Sequence, residues 1–118
     1  MNYYFKLITR QDVTRSFVVN KKATEYFFKK NLINHGDVES VFIKYKDDFF
    51  VETKIVLHQD VRLLIKNRDF FEGDIAFFKK IQENHFELII INENSKIDII
   101  LSKFNENNYY LSNTNIQL

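Results

Sequence analysis

Apolar and polar positions along this chain follow two different periods, and the changes of period divide it into elements. Tyr3 to Ile8 alternates loosely and is rich in aromatic and β-branched residues, the pattern of a strand. The polar run Thr9-Arg10-Gln11-Asp12 interrupts it, and Phe17-Val18-Val19 reads as a second, short apolar strand. Asn20 is a good N-cap for a helix over Lys21 to Asn31, in which Ala23, Tyr26, Phe27 and Lys30 share one face. His35-Gly36-Asp37 is expected to close that helix.

From Val38 the period becomes two. Val41, Ile43 and Tyr45 alternate with Phe42, Lys44 and Lys46, Asp47-Asp48 suits a hairpin turn, and Phe49 to Leu57 forms the returning strand. His58-Gln59-Asp60 breaks the pattern, Val61 to Ile65 gives a further short strand, and Asn67 to Phe71 is expected to form one helical turn leading into Glu72-Gly73-Asp74. Ile75 to Lys79 and Phe86 to Ile91 read as a hairpin turning near Gln82-Glu83-Asn84. Their unbroken apolar runs imply strands buried on both faces or wrapped into a barrel. Lys96 to Phe104 is expected to add one more strand, and the Asn-rich stretch from about residue 105 to 118 to fray.

Composition narrows the chemistry. The 118 residues suit a single domain, expected to span 1–118, and 13 Phe with 6 Tyr supply its core volume. The adjacent pairs Phe27-Phe28, Phe49-Phe50, Phe70-Phe71 and Phe77-Phe78 fit core packing better than a stacking platform for single strands. Absence of cysteine excludes disulfides, thiol nucleophiles and thiolate-held metals and suits a reducing cytoplasm; no apolar run approaches a membrane span. Net charge is only +1, yet residues 1–30 carry seven basic against two acidic side chains, a local +5, while residues 31–118 sum to −4. A field concentrated in this way can steer a polyanion.

Three motifs in this order carry a resemblance. Phe5-Lys6-Leu7-Ile8-Thr9-Arg10-Gln11-Asp12-Val13 precedes Phe17-Val18-Val19 and then Lys21-Lys22-Ala23-Thr24-Glu25-Tyr26-Phe27, and Gly73-Asp74-Ile75-Ala76-Phe77-Phe78 opens a later strand. Over about residues 4–91 the chain resembles the plant B-three DNA-binding domain and the related specificity domains of bacterial restriction endonucleases. Asn20 stands where plant members usually have proline, and the segment before Gly73 is shorter than theirs. The resemblance implies a mainly β fold: an open seven-stranded pseudobarrel with one main and one short helix. It also implies sequence-specific binding of double-stranded DNA by two loop arms in the major groove. The N-terminal arm maps onto Arg10, Gln11, Asp12, Thr14, Arg15 and Ser16, and the C-terminal arm onto His58, Gln59, Asp60 and Arg62. Arg suits guanine, Gln adenine and Asp cytosine, while Lys21 and Lys22 at a helix start suit phosphates. Together with the Asn/Lys/Ile-rich composition, this points to a restriction–modification role, with cleavage in a separate domain or subunit and no cofactor.

Two other classes stay open on sequence. Glu52-Thr53-Lys54 on a strand, with Asp37 or Asp48 upstream, is the acid…Glu-x-Lys pattern of Mg-dependent nucleases, although exposed cross-strand charge pairs give the same triplet. A protein-interaction module would instead show an exposed apolar patch. His35, His58 and His85 lie more than twenty residues apart with no companion carboxylate at ligand spacing, so no metal site is expected.

Overall fold

A computed structural model describes residues 1–104 and 107–118. The elements follow in the order β1 (Tyr3–Leu7), α1 (Arg10–Thr14), β2 (Phe17–Val19), α2 (Lys21–Tyr26), β3 (Val38–Lys44), β4 (Val51–Leu57), β5 (Val61–Leu63), β6 (Ile75–Gln82), β7 (His85–Ile91), α3 (Asn94–Leu101) and β8 (Tyr109–Ser112). Eight strands form one sheet in the order β2-β5-β4-β3-β7-β6-β1-β8, curled into a half-barrel. Every neighbouring pair is antiparallel except β3 and β7, which run parallel through Phe42–His85, Ile43–Phe86 and Lys44–Glu87. The mainly β architecture agrees with the sequence reading, the described residues forming eight strands in place of seven and three short helices in place of two. No helix among the described residues is long and apolar enough to cross a membrane.

Strand β1, the first half of β6 and the end of β7 are covered on both sides, in keeping with their apolar runs. Tyr4, Ala76, Phe78, Phe86 and Leu88 face the concave core with Ala23, Phe27 and Phe28. Phe5, Ile75, Phe77 and Ile91 face the opposite side, where Ile97, Ile100 and Leu101 of α3 cover them. Adjacent Phe77 and Phe78 thus enter different clusters, as strand geometry requires. In the concave core Tyr4 stacks on Phe78 at 5.4 Å, and Phe27 and Phe28 both pack on Phe86 at 4.9 Å.

Four local expectations are corrected. The helix predicted over Lys21 to Asn31 ends at Tyr26. Phe27 and Phe28 both enter the core. Both of their amides bond to the Ala23 carbonyl, and Lys29 then takes φ 59° to turn the chain away. The turn predicted over Asn67 to Phe71 is not helical; Phe71 N–H instead donates to the Asp74 carboxylate at 3.1 Å, fixing the Gly73-Asp74 turn. Lys96 to Phe104 is not a strand: Ile97, Ile100 and Leu101 recur at helical spacing, and α3 lays them on β1 and β6. Tyr109–Ser112, placed by sequence in a frayed tail, pairs with β1 from Tyr3–Ser112 to Lys6–Tyr109. Asn105 and Glu106, in the same predicted tail, lie outside the described residues.

Candidate nucleic-acid interface

The segment between β1 and β2 is organised around one buried carboxylate. Thr9 caps α1 through its hydroxyl, and Asp12 returns the bond from N3, accepting the Thr9 N–H at 2.8 Å in a reciprocal capping box. Asp12 also accepts the Val18 N–H at 2.9 Å and the Lys6 ammonium at 2.5 Å. Lys6 in turn donates to the Val18 carbonyl and sits 4.5 Å from the Phe17 ring centroid. Burial pushes the Lys6 pKa below its ordinary value, against the opposing pull of Asp12. Both backbone polar groups of Val18 are therefore held by this ion pair on the side of β2 where no strand lies among the described residues.

Asp12, expected among the base-reading side chains, is thus corrected: it is 0% exposed and fully engaged. With Asp12 turned inward and Val13 packed on the core, the other face of α1 turns outward. Arg10, Thr14 and Arg15 are exposed, with Arg10 and Thr14 one turn apart on the same face and tied by the Thr14 hydroxyl donating to the Arg10 carbonyl at 2.9 Å. Gln11 and Ser16 are half-buried. The Gln11 carbonyl accepts the Arg15 and Ser16 amides, which ends the helix. This arm is therefore a capped helical turn rather than the loop expected from its polar sequence.

The second predicted arm lies at the other end of the same ladder. Phe17 faces Leu63 and Val19 faces Val61, so α1 enters at one end of the β2–β5 pair and His58-Gln59-Asp60 at the other, separated by about 7 Å of strand. Arg62 stands between them opposite Val18, half-buried. His58, Gln59 and Asp60 are exposed, and the His58 N–H donates to the Asp60 carbonyl. Gln59 and Asp60 share a cleft of about 450 Å³ with Asn20 and Lys21. Lys21 and Lys22 are exposed on the first turn of α2, although one free helix N–H there, that of Ala23, is already taken by the Asn20 side chain at 2.7 Å.

Two neighbours escaped sequence reasoning. Arg68 reaches back across 56 residues to the Asp12 carbonyl at 3.4 Å, adding a guanidinium beside α1. His35 lies against His58, ring centroids 5.2 Å apart. Neither has a local signal, because each contact depends on how the sheet curls. The Glu52–Lys54 pair lies on the exposed sheet face, where Lys54 donates to Ser40 at 2.7 Å and to Glu52 at 3.5 Å. Asp37, its suggested acidic partner, accepts the Ile33 and Asn34 amides instead. Among the described residues no three His, Cys, Asp or Glu are grouped to hold a metal.

No family model and no curated protein matches the chain. Among solved structures, the N-terminal domain of Helicobacter pylori LlaJI.R1 superposes with a TM-score of 0.80, over 98% of this chain and 100% of that one, at 21% sequence identity. That likeness establishes a shared fold.

Proposed function

We propose that this chain binds double-stranded DNA with sequence preference, as the recognition module of a restriction system whose cleavage activity resides in a separate domain or subunit. The observation that carries the reading is the anchored α1 turn: a buried Asp12 holds it so that Arg10, Thr14 and Arg15 face solvent together, within the +5 segment. Such preorganisation lowers the ordering cost of seating side chains in a groove. Arg10 and Arg15 are the proposed base readers in the major groove, with Gln11 and Ser16 at the margin of the contact. Arg62 and the His58-Gln59-Asp60 loop form the second arm, and Lys21 and Lys22 contact phosphates as point charges. The fold shared with the domain from a restriction-system protein supports the assignment to such a system.

Selection from a randomised duplex pool followed by affinity measurements tests the reading. An enriched motif is expected. Arg10→Ala and Arg15→Ala should each weaken binding to it by about 1–3 kcal/mol and relax the preference. Lys21→Ala should weaken binding uniformly across sequences and reduce the salt slope by about one. Unchanged binding in both arginine variants would remove α1 from the interface, and a flat salt response would argue against DNA altogether.

A further inference from the structure

His35 and His58, more than twenty residues apart in sequence, are brought together by two short segments locked to each other. Leu57 holds both: its carbonyl accepts the Gly36 N–H at 2.7 Å, and its own N–H donates to the Asp37 carbonyl at 2.9 Å. Gly36 adopts φ 90°, which a side chain would disfavour, and this bend directs the chain from His35 back into β3. The Asp37 carboxylate fixes the loop before it through the Ile33 and Asn34 amides, at 3.0 and 2.8 Å. On the other side the His58 N–H is tied to the Asp60 carbonyl at 2.9 Å. Both imidazoles are exposed, on backbone that needs no rearrangement to hold them there.

Their spacing has a chemical reading. With a zinc–nitrogen bond of about 2.0–2.1 Å and a ring nitrogen about 1.1 Å from its centroid, two imidazoles on one tetrahedral ion hold their centroids about 5.2 Å apart. At the right angle of an octahedral ion the same bonds give about 4.5 Å. The observed separation is 5.2 Å, with the ring planes inclined at 54°. His85, by contrast, is held by Phe rings and backbone: its ring lies flat on Phe42 at 4.7 Å and 9° and edge-on to Phe50 at 5.0 Å, and its Nδ1 is 2.9 Å from the Glu83 carbonyl.

We propose that His35 and His58 together bind a divalent transition-metal ion in tetrahedral geometry, zinc being the ion whose coordination preference fits best. Imidazole is a favoured donor for such ions. Since no third His, Cys, Asp or Glu joins the pair among the described residues, water fills the remaining two positions and affinity is modest compared with a four-ligand structural site. Bound there, the ion pins the loop before β3 to the 58–60 loop and adds positive charge beside it. The proposal is independent of DNA binding and is tested without DNA.

Calorimetric titration of zinc chloride into the full chain, free of any affinity tag, should give one ion per chain. His35→Ala and His58→Ala should each lower the affinity by about tenfold or more, since even second-shell changes at metal sites cost that much, and His85→Ala should leave it unchanged. Cobalt(II) in place of zinc should give the intense visible absorption of a tetrahedral site. Because both histidines are exposed, their variants should keep the wild-type circular dichroism, so a loss of binding reports ligation. Wild-type affinity in both single variants, or loss of binding in His85→Ala, would overturn the site. The faint spectrum of six-coordinate cobalt would overturn its tetrahedral geometry.

Discussion

Asp12 decides how the α1 turn is presented. Its two oxygens receive a cap amide, a strand amide and an ammonium, so removing them strands several groups at once. Asp12→Ala should destabilise the fold by about 3–5 kcal/mol in chemical denaturation, the cost of leaving a buried charge without its partner. Asp12→Asn keeps an acceptor for Val18 but also leaves Lys6 uncompensated. Adding Lys6→Met to it should therefore return part of the loss. Equal losses in single and double variants would show that the two charges do not act as a pair. None of this was legible locally. An aspartate in a polar, basic stretch resembles a cytosine reader, and its partner Lys6 belongs to a strand whose alternation is unremarkable. Arg10 and Arg15, by contrast, are as exposed as their charge and setting implied.

Elements were readable where one periodicity held without competition. Strands β3, β4, β6 and β7 followed from alternation and from unbroken apolar runs, β2 from an apolar triplet and β5 from the short run Val61 to Ile65, each between polar breaks. α3 was misread because Ile97, Ile99, Ile100 and Leu101 are β-branched or bulky enough for a strand. Only tertiary packing, which buries Ile100 and leaves Ile99 42% exposed, selects the helical period. Ile100→Ala should accordingly cost about 2–5 kcal/mol of stability, whereas Ile99→Ala should stay near the wild-type value. Equal effects of the two, read by thermal unfolding, would contradict the helical face. β8 was hidden by composition: Tyr109-Tyr110-Leu111 is a good strand sequence, but the asparagines around it suggested fraying. The early end of α2 was equally hidden, since Phe27 and Phe28 are compatible with a longer helix and a lysine at φ 59° gives no local signal.

Across the molecule, three carboxylates among the described residues are held below their ordinary pKa: Asp37 by the Asn34 and Ile33 amides, Glu52 by Ser40 and then Lys54, and Asp69 by Lys46 and Tyr45. Each binds protons less readily folded than unfolded, so its contribution to stability is complete above the ordinary carboxylate range and is lost as pH falls through the lowered folded value. Urea midpoints should therefore hold level from neutral pH down to about 5 and decline below about 4. Asp37→Asn should flatten that decline in low and high salt alike, since its partners are amides, and a midpoint that rises on acidification would refute the assignment. The near-neutral total charge with basic first thirty residues places the positive field in the same stretch of sequence as the anchored turn. The Lys6–Asp12 pair has one further consequence. β2 ends the sheet, and an open strand edge is a template on which another chain can extend the ladder. By occupying both backbone groups of Val18, the pair denies that edge to a second copy, so the residues that hold α1 also guard against strand-to-strand polymerisation.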